Sequence, residues 1–290
     1  MGTPERISRK DAKAQSVRRL CCWSGGGMPG MDIHCGAWLA LEDAGIVATA
    51  HAGTSAGSII GAFAASGMSA PHCAAILQGL TDRDVRDERF AWKLRVLWID
   101  SYLRHKPIEA LLAKHLPKSF EDLQLPLTVF VTDDRFGSSC WFGSGNYLRE
   151  TVLASTSISG VFPSVRLPCG VFSDGGTTQH LPLPIGWQGY DEVYLMVASR
   201  PLEYRNRGKS MFSRLRWNID LLMEDQVSDV VRTVKAGGKR CVVIRPPLGG
   251  ASGMLRFDHG LISQSYQWTR NYLGEISRKD AKTPRGNGSE

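Results

Sequence analysis

The sequence predicts an α/β protein in three layers, with helices on both faces of a central, mostly parallel sheet. Three observations carry this. Apolar runs of strand length alternate with segments of helical period, and two glycine-rich turns each join a strand to a helix. No uninterrupted apolar run approaches the ~20 residues a membrane-spanning helix needs. With 290 residues, 42% of them hydrophobic, the chain is long enough for one large domain with a substantial core.

In chain order, residues 1–16 are polar and read as a mobile basic segment, followed by a single domain over 17–274. Val17 to Trp23 reads as a first strand running into Ser24-Gly25-Gly26-Gly27-Met28-Pro29-Gly30. The next helix has Ile33, Ala37, Leu39, Ala40 and Ala44 apolar and Gly45 as its stop. A second apolar run, Ile46 to Ala50, precedes His51-Ala52-Gly53-Thr54-Ser55-Ala56-Gly57-Ser58, and a third, Ile59 to Ala65, follows it. That order reads as strand, tight turn, helix, with Gly53 and Gly57 letting the backbone bend so that Ser55 is lifted clear of the sheet.

Ser69 to Leu80 is expected to be helical and 81–117 less regular, with a short helix from Ile108 to Leu116 begun by Pro107. Phe90 to Trp98 mixes aromatics with cations and suits either a lid or a partly buried helix. Leu127 to Asp133 is a buried strand whose terminal Asp133 and Asp134 are expected to cap the following turn. A helix over Asn146 to Ala154 leads to Gly170-Val171-Phe172-Ser173-Asp174-Gly175-Gly176, which presents an aspartate on a glycine turn. Glu192 to Ala198 is the next strand, after which Arg200 to Trp217 is basic. A long helix then aligns Phe212, Leu215, Ile219, Leu222, Met223, Val227, Val230, Val231 and Val234 on one stripe, closed by Gly237-Gly238. Cys241 to Ile244 makes the last strand and Leu261 to Leu273 the last helix, leaving 275–290 as a mobile tail. Seven residues, Ile7 to Lys13, recur identically at Ile276 to Lys282; the sequence supplies no functional account of this repeat.

Two consecutive strand–loop–helix units put both glycine turns on the carboxyl rim of a parallel sheet, where ligands bind in such folds. Gly25-x-Gly27-x-x-Gly30 also matches a dinucleotide fingerprint. That fingerprint needs an acid at the end of the second strand, where this chain has His51-Ala52-Gly53. The loop is better suited to converge its N–H groups on an oxygen that gains negative charge.

Taken together, the glycine loop from Gly25 to Gly30, the Gly53-Thr54-Ser55-Ala56-Gly57 elbow and Asp174-Gly175-Gly176 resemble the patatin-like phospholipases from about Arg18 to Leu273. Ala154 to Pro163 is similar to the segment that precedes the aspartate in that family. The resemblance implies a patatin-like fold and a lipid acyl hydrolase of the phospholipase A or lysophospholipase type. It further implies a Ser55–Asp174 catalytic pair with neither metal nor cofactor. Gly25, Gly26, Gly27 and Met28 are the expected oxyanion-hole residues, and Gly53, Gly57, Gly175 and Gly176 are expected to support the turns. Two positions depart from the family pattern: Pro29 replaces a usual cation, and His180-Leu181 replaces an Asn pair.

Two other readings compete. One is an α/β-hydrolase esterase with a Ser-Asp-His triad using His180 or His259. Such enzymes place the elbow deeper in the chain, whereas Ser55 follows the second strand. The other is a catalytically idle lipid-binding protein, which the intact Ser55, Asp174 and glycine loop disfavour.

The net charge of +7 points to anionic partners. Zinc-finger spacing, a heptad-bearing basic helix and an aromatic RNA-binding signature are all missing, so an anionic membrane surface is preferred to nucleic acid. Candidate membrane contacts are Arg205, Arg207, Lys209, Phe212 and Trp217. Seven scattered cysteines without Cys-x-x-Cys predict reduced thiols. Together with a polar start that lacks a signal core, they predict a cytoplasmic protein, peripheral at membranes.

Overall fold

In the computed structural model, residues 17–84, 87–88, 101, 103–202, 210–248 and 255–282 are described. Strand β1 (Arg19–Trp23) passes through the glycine loop into α1 (Gly27–Asp43), and β2 (Ala50–Thr54) passes through Ser55 into α2 (Ala56–Ala65). Helix α3 (Ala70–Gln78) follows, then a short antiparallel pair, β3 (Asp87–Glu88) and β4 (Leu103–Arg104), and α4 (Lys106–His115). The middle of the chain forms β5 (Leu127–Asp133), β6 (Ser138–Phe142), α5 (Leu148–Ser155), β7 (Val165–Leu167) and β8 (Gly170–Asp174). Strand β9 (Glu192–Met196), α6 (Met211–Ala236), β10 (Arg240–Ile244) and α7 (Gly260–Lys282) complete it.

The main sheet runs β10-β9-β1-β2-β5-β8-β7, with β6 also paired to β5. Strands β10, β9, β1, β2 and β5 are parallel; β6 and β8 run antiparallel to β5, and β7 antiparallel to β8. Side chains alternate between its faces, as strand geometry requires. Cys21 and Trp23 join one core beneath α1, α2 and α3, while Leu20 and Cys22 join a second core beneath Val227, Val230 and Val234 of α6. Helices therefore cover both faces. Helix α7 lies against α1 so closely that a Cβ on Gly36 would stand 2.2 Å from the Ile262 carbonyl, and Ser265 Oγ donates to Ile33 O at 2.7 Å.

Several boundaries depart from expectation. The run Ile46 to Thr49 is a connection rather than a strand, because Ile46 N–H donates to Leu41 O to finish α1 around Gly45, whose φ is 67°. β2 is instead the small-residue stretch Ala50–Thr54, buried throughout. The last helix does not stop near Leu273: it continues to Lys282 and takes in the second copy of the repeat, a segment with no glycine or proline to end it. Strands β6 and β7 come from short, partly exposed sequence and have no counterpart in the expected element order. On the stripe of α6, Val227, Val230 and Val234 are buried, but Ile219 and Leu222 are 46% and 66% exposed.

Asp133 caps a turn as expected, whereas Asp134 Oδ1 instead accepts from Ser173 Oγ of β8 at 2.5 Å. Asp133 Oδ1 accepts from Arg135 N at 2.9 Å, and its carboxylate pairs with the Arg135 guanidinium at 2.7 Å. The first copy of the repeat, the Phe90–Trp98 segment and Arg205, Arg207 and Lys209 lie outside the described residues, as does the Phe212 side chain. All seven cysteines are free thiols, four of them buried. No helix among the described residues is long and apolar enough to cross a membrane.

Candidate active site

Ser55 occupies the single residue between β2 and α2 with φ 52° and ψ −127°. No other non-glycine residue among those described has a positive φ. A positive φ on a serine at a strand–helix junction is a strained turn that lifts the side chain clear of the sheet, and its neighbours hold it there. A Cβ on Gly57 would lie 2.3 Å from Trp23 O, so only glycine lets α2 start this close to β1. The Ser55 N–H donates to Ser155 Oγ at 2.9 Å, and Ser155 Oγ donates in turn to Phe130 O at 2.7 Å.

Asp174 ends β8, next to β5, which pairs with β2 on its other side. That strand order brings it to Ser55: Ser55 Oγ donates to Asp174 Oδ2 at 2.7 Å. The second oxygen, Oδ1, accepts the Gly176 N–H at 2.6 Å. The backbone of Asp174 is fixed as well, with its N–H on Ser157 O at 2.9 Å and its carbonyl accepting from Thr132 Oγ1 at 2.8 Å. A Cβ on Gly175 would lie 2.2 Å from Phe130 O, so the turn after the aspartate is pressed against β5. Burial raises the carboxyl of Asp174 to about 6, against the opposing pull of the Ser55 hydroxyl and the Gly176 N–H.

The glycine loop arrives from β1. Gly26 is the N-cap of α1, so Gly27 and Met28 carry first-turn N–H groups with no partner inside the helix. Pro29 has no N–H to give, and its place in the first turn suits it. Gly25 behaves differently from its expected role as an oxyanion donor: its N–H donates to His180 O at 3.0 Å. Close approach is its contribution instead, since a Cβ there would stand 3.1 Å from His180 Nδ1 and 3.6 Å from Ser55 Cβ. The end of α1 nearest Ser55 also bears the positive end of its helix dipole.

Neither histidine of the triad alternative is hydrogen-bonded to Ser55 Oγ. His180 is buried against Gly25, and its own N–H donates to Gln226 Oε1 at 2.7 Å. His259 sits before α7, with Nδ1 3.2 Å from Asp32 Oδ1 and Nε2 2.9 Å from Leu80 O. A narrow pocket of about 50 Å3, open to solvent, adjoins Ser55 and is walled by apolar side chains, among them Met28 and Met31 of α1, Ile59 of α2, Ile108 and Leu111 of α4, and Phe162.

The structure therefore brings together Ser55, Asp174, Gly176 and the loop Gly25–Met28. It adds residues to which the sequence reading gave no role: Ser155, Ser157 and Thr132 as supports, and the pocket wall. The Ala154–Pro163 segment held the signal for the first two. Thr132 lay in a plain strand sequence.

Similarity to known proteins is found in both sequence and fold. The sequence model of the patatin-like phospholipase family matches residues 22–187, a span that holds the glycine loop, Ser55 and Asp174. A stretch of 84 residues is 37% identical to YqhO of Bacillus subtilis (strain 168), described as an uncharacterized protein, and amounts to 28% of each chain. Among solved structures, VipD from Legionella pneumophila is similar with a TM-score of 0.52 at 14% identity, over 90% of this chain and 67% of that one. ExoU from Pseudomonas aeruginosa, solved with SpcU, gives a TM-score of 0.47 at 17% identity over 92% of this chain; the chain spans 53% of its length.

Proposed function

The chain belongs to the patatin-like phospholipase family, whose members are lipid acyl hydrolases, and from that premise we propose that it cleaves fatty-acyl esters of phospholipids, in the manner of a phospholipase A or lysophospholipase, through a Ser55 acyl-enzyme. The observation that carries this reading is the 2.7 Å hydrogen bond from Ser55 Oγ to the buried Asp174 carboxylate.

Ser55 Oγ attacks the ester carbonyl carbon as its proton passes to Asp174 Oδ2. The carbonyl oxygen, now negative, is held by N–H groups of Gly26, Gly27 and Met28, with the α1 dipole adding to the attraction. Collapse of the tetrahedral intermediate breaks the ester C–O bond, and Asp174 returns its proton to the leaving alcohol. Asp174 then takes a proton from water, whose oxygen attacks the acyl-enzyme, and the fatty acid departs as Ser55 regains its hydrogen. An ordinary aspartate, at about 3.9, is a weak base for this work; burial makes Asp174 a stronger one while leaving it ionised near neutrality. The apolar pocket beside Ser55 suits an acyl chain, and the net positive charge suits an anionic membrane surface as the place of work.

Fatty-acid release from mixed phospholipid vesicles, followed by mass spectrometry, tests the proposal. Wild-type protein is expected to release fatty acid and lysolipid, and Ser55→Ala to release neither. Equal release by the two would remove Ser55 from the chemistry.

A further inference from the structure

The apolar stripe of α6 is longer than the surface that covers it. Val227, Val230 and Val234 pack into the core, whereas Ile219 and Leu222, earlier on the same stripe, are 46% and 66% exposed and Leu221 beside them is 41% exposed.

The reason is where α6 leaves the sheet. Arg245, just past the end of β10, holds Glu224 through two hydrogen bonds of 2.7 and 2.6 Å, and its Nε donates to Ser199 O, just past the end of β9. Glu224 therefore marks the carboxyl rim. Residues 211–223 precede it in the helix, and at 1.5 Å per residue they project about 20 Å beyond that rim. The same rim carries Ser55 and the glycine loop, because β10, β9, β1 and β2 are parallel. Three strand spacings separate β10 from β2, roughly 14 Å.

We propose that the projecting first half of α6, with Ile219, Leu221 and Leu222, is the element that seats the protein on an anionic phospholipid surface and holds the Ser55 opening toward it. This rests on the acyl-hydrolase reading for its orientation. Charge selects the occupant. From Arg200 to Trp217 the sequence has six cations and one acid, and Arg214, within the projecting turns, is exposed. Carried on to Met223 the stretch gains one further acid, Asp220 between Ile219 and Leu221, and keeps six cations against two acids. Aliphatic side chains on a helix preceded by such a cation-rich stretch suit a bilayer interface, with the cations among headgroups and the apolar groups below them. A second copy of the chain would meet the same cations and be repelled by them.

The test is co-sedimentation with vesicles of phosphatidylcholine alone and of phosphatidylcholine with phosphatidylglycerol, at low and at ~1 M salt, where the Debye length is ~3 Å. Protein carrying Ser55→Ala keeps the vesicles intact during binding. Adding Ile219→Glu and Leu222→Glu is expected to weaken binding to the anionic vesicles by about tenfold or more. With Ser55 intact, the same pair of substitutions is expected to leave hydrolysis of a soluble short-chain ester unchanged, and thermal unfolding checks that they fold. With Cys140, Cys169 and Cys241 replaced by serine, a dye on Leu222→Cys is expected to shift to the blue on anionic vesicles and not on neutral ones at high salt. Three results would overturn the proposal: binding indifferent to these substitutions, a dye that does not respond, or substitutions that abolish self-association in buffer instead. If wild type hydrolyses no ester yet binds vesicles through these residues, the catalytic reading fails and the docking surface stands.

Discussion

Burial lifts the Asp174 carboxyl to about 6, and that one shift governs both chemistry and stability. The base must be ionised to take the proton of Ser55, so hydrolysis of a soluble ester is expected to rise through pH ~6 to a plateau, with a single ionisation on the acid side. The linkage has the opposite sign. Asp174 ionises at about 3.9 in the unfolded chain, so its contribution to stability is complete below that pH and is lost as pH rises through about 6. Asp174→Asn is therefore expected to lower turnover by ~10³ or more while leaving thermal stability at pH 8 equal to or above that of wild type. Turnover near the wild-type level in a folded Asp174→Asn protein would mean another base. Ser155→Ala removes the acceptor of the Ser55 N–H and the donor to Phe130 O, both buried, and is expected to cost about 1–3 kcal/mol in denaturant unfolding. Turnover is expected to fall with it, because the elbow loses a support; unfolding and turnover both like wild type would show that Ser155 does not hold the elbow.

At the scale of elements, the junctions that carry the site are set by close approach. Gly57→Ala places a Cβ against Trp23 O and is expected to destabilise the protein by about 1–3 kcal/mol, measured by urea unfolding. Those junctions were legible in the sequence because glycines and one serine at fixed spacing have few structural uses. The Gly25 error has the opposite origin: a glycine tract shows which N–H groups lack side chains, but not which of them a distant carbonyl such as that of His180 already holds. The α6 stripe was misread in part because periodicity reports which residues share a face, and says nothing of where the sheet beneath them ends. β6 and β7 escaped because edge strands are half exposed and lack a continuous apolar run.

His259 gives a second test at this scale. Burial lowers its affinity for a proton, but hydrogen bonds to Leu80 O and the Asp32 carboxylate outweigh that and leave it raised. Both ring nitrogens face acceptors, which two N–H groups of an imidazolium satisfy together. Its stabilising contribution is complete below the ordinary histidine value of ~6.5 and is lost as pH rises through the raised one. His259→Ala is thus expected to lower the melting temperature more at pH 6 than at pH 9. A deficit independent of pH would mean that His259 acts through packing alone.

Across the whole molecule, the meeting of Ser55 and Asp174 depends on a sheet that changes direction. The parallel strands β1 and β2 deliver the glycine loop and Ser55 to one rim, and the antiparallel β8 returns Asp174 to that rim from the far side of β5. The sequence foretold the mostly parallel part. It did not foretell the reversal, since Gly170 to Asp174 was read as a turn and pairing partners three strands apart in the chain, β5 and β8, leave no local trace. The central claim, that Ser55 is a nucleophile activated by Asp174, is tested most directly by the rate of covalent labelling with a serine-directed fluorophosphonate, followed by intact mass and peptide mapping across pH. The account predicts a single adduct on Ser55, formed at a rate that falls below pH ~6 and is lost in Asp174→Asn. An adduct on another residue, or labelling that persists unchanged in Ser55→Ala, would contradict it.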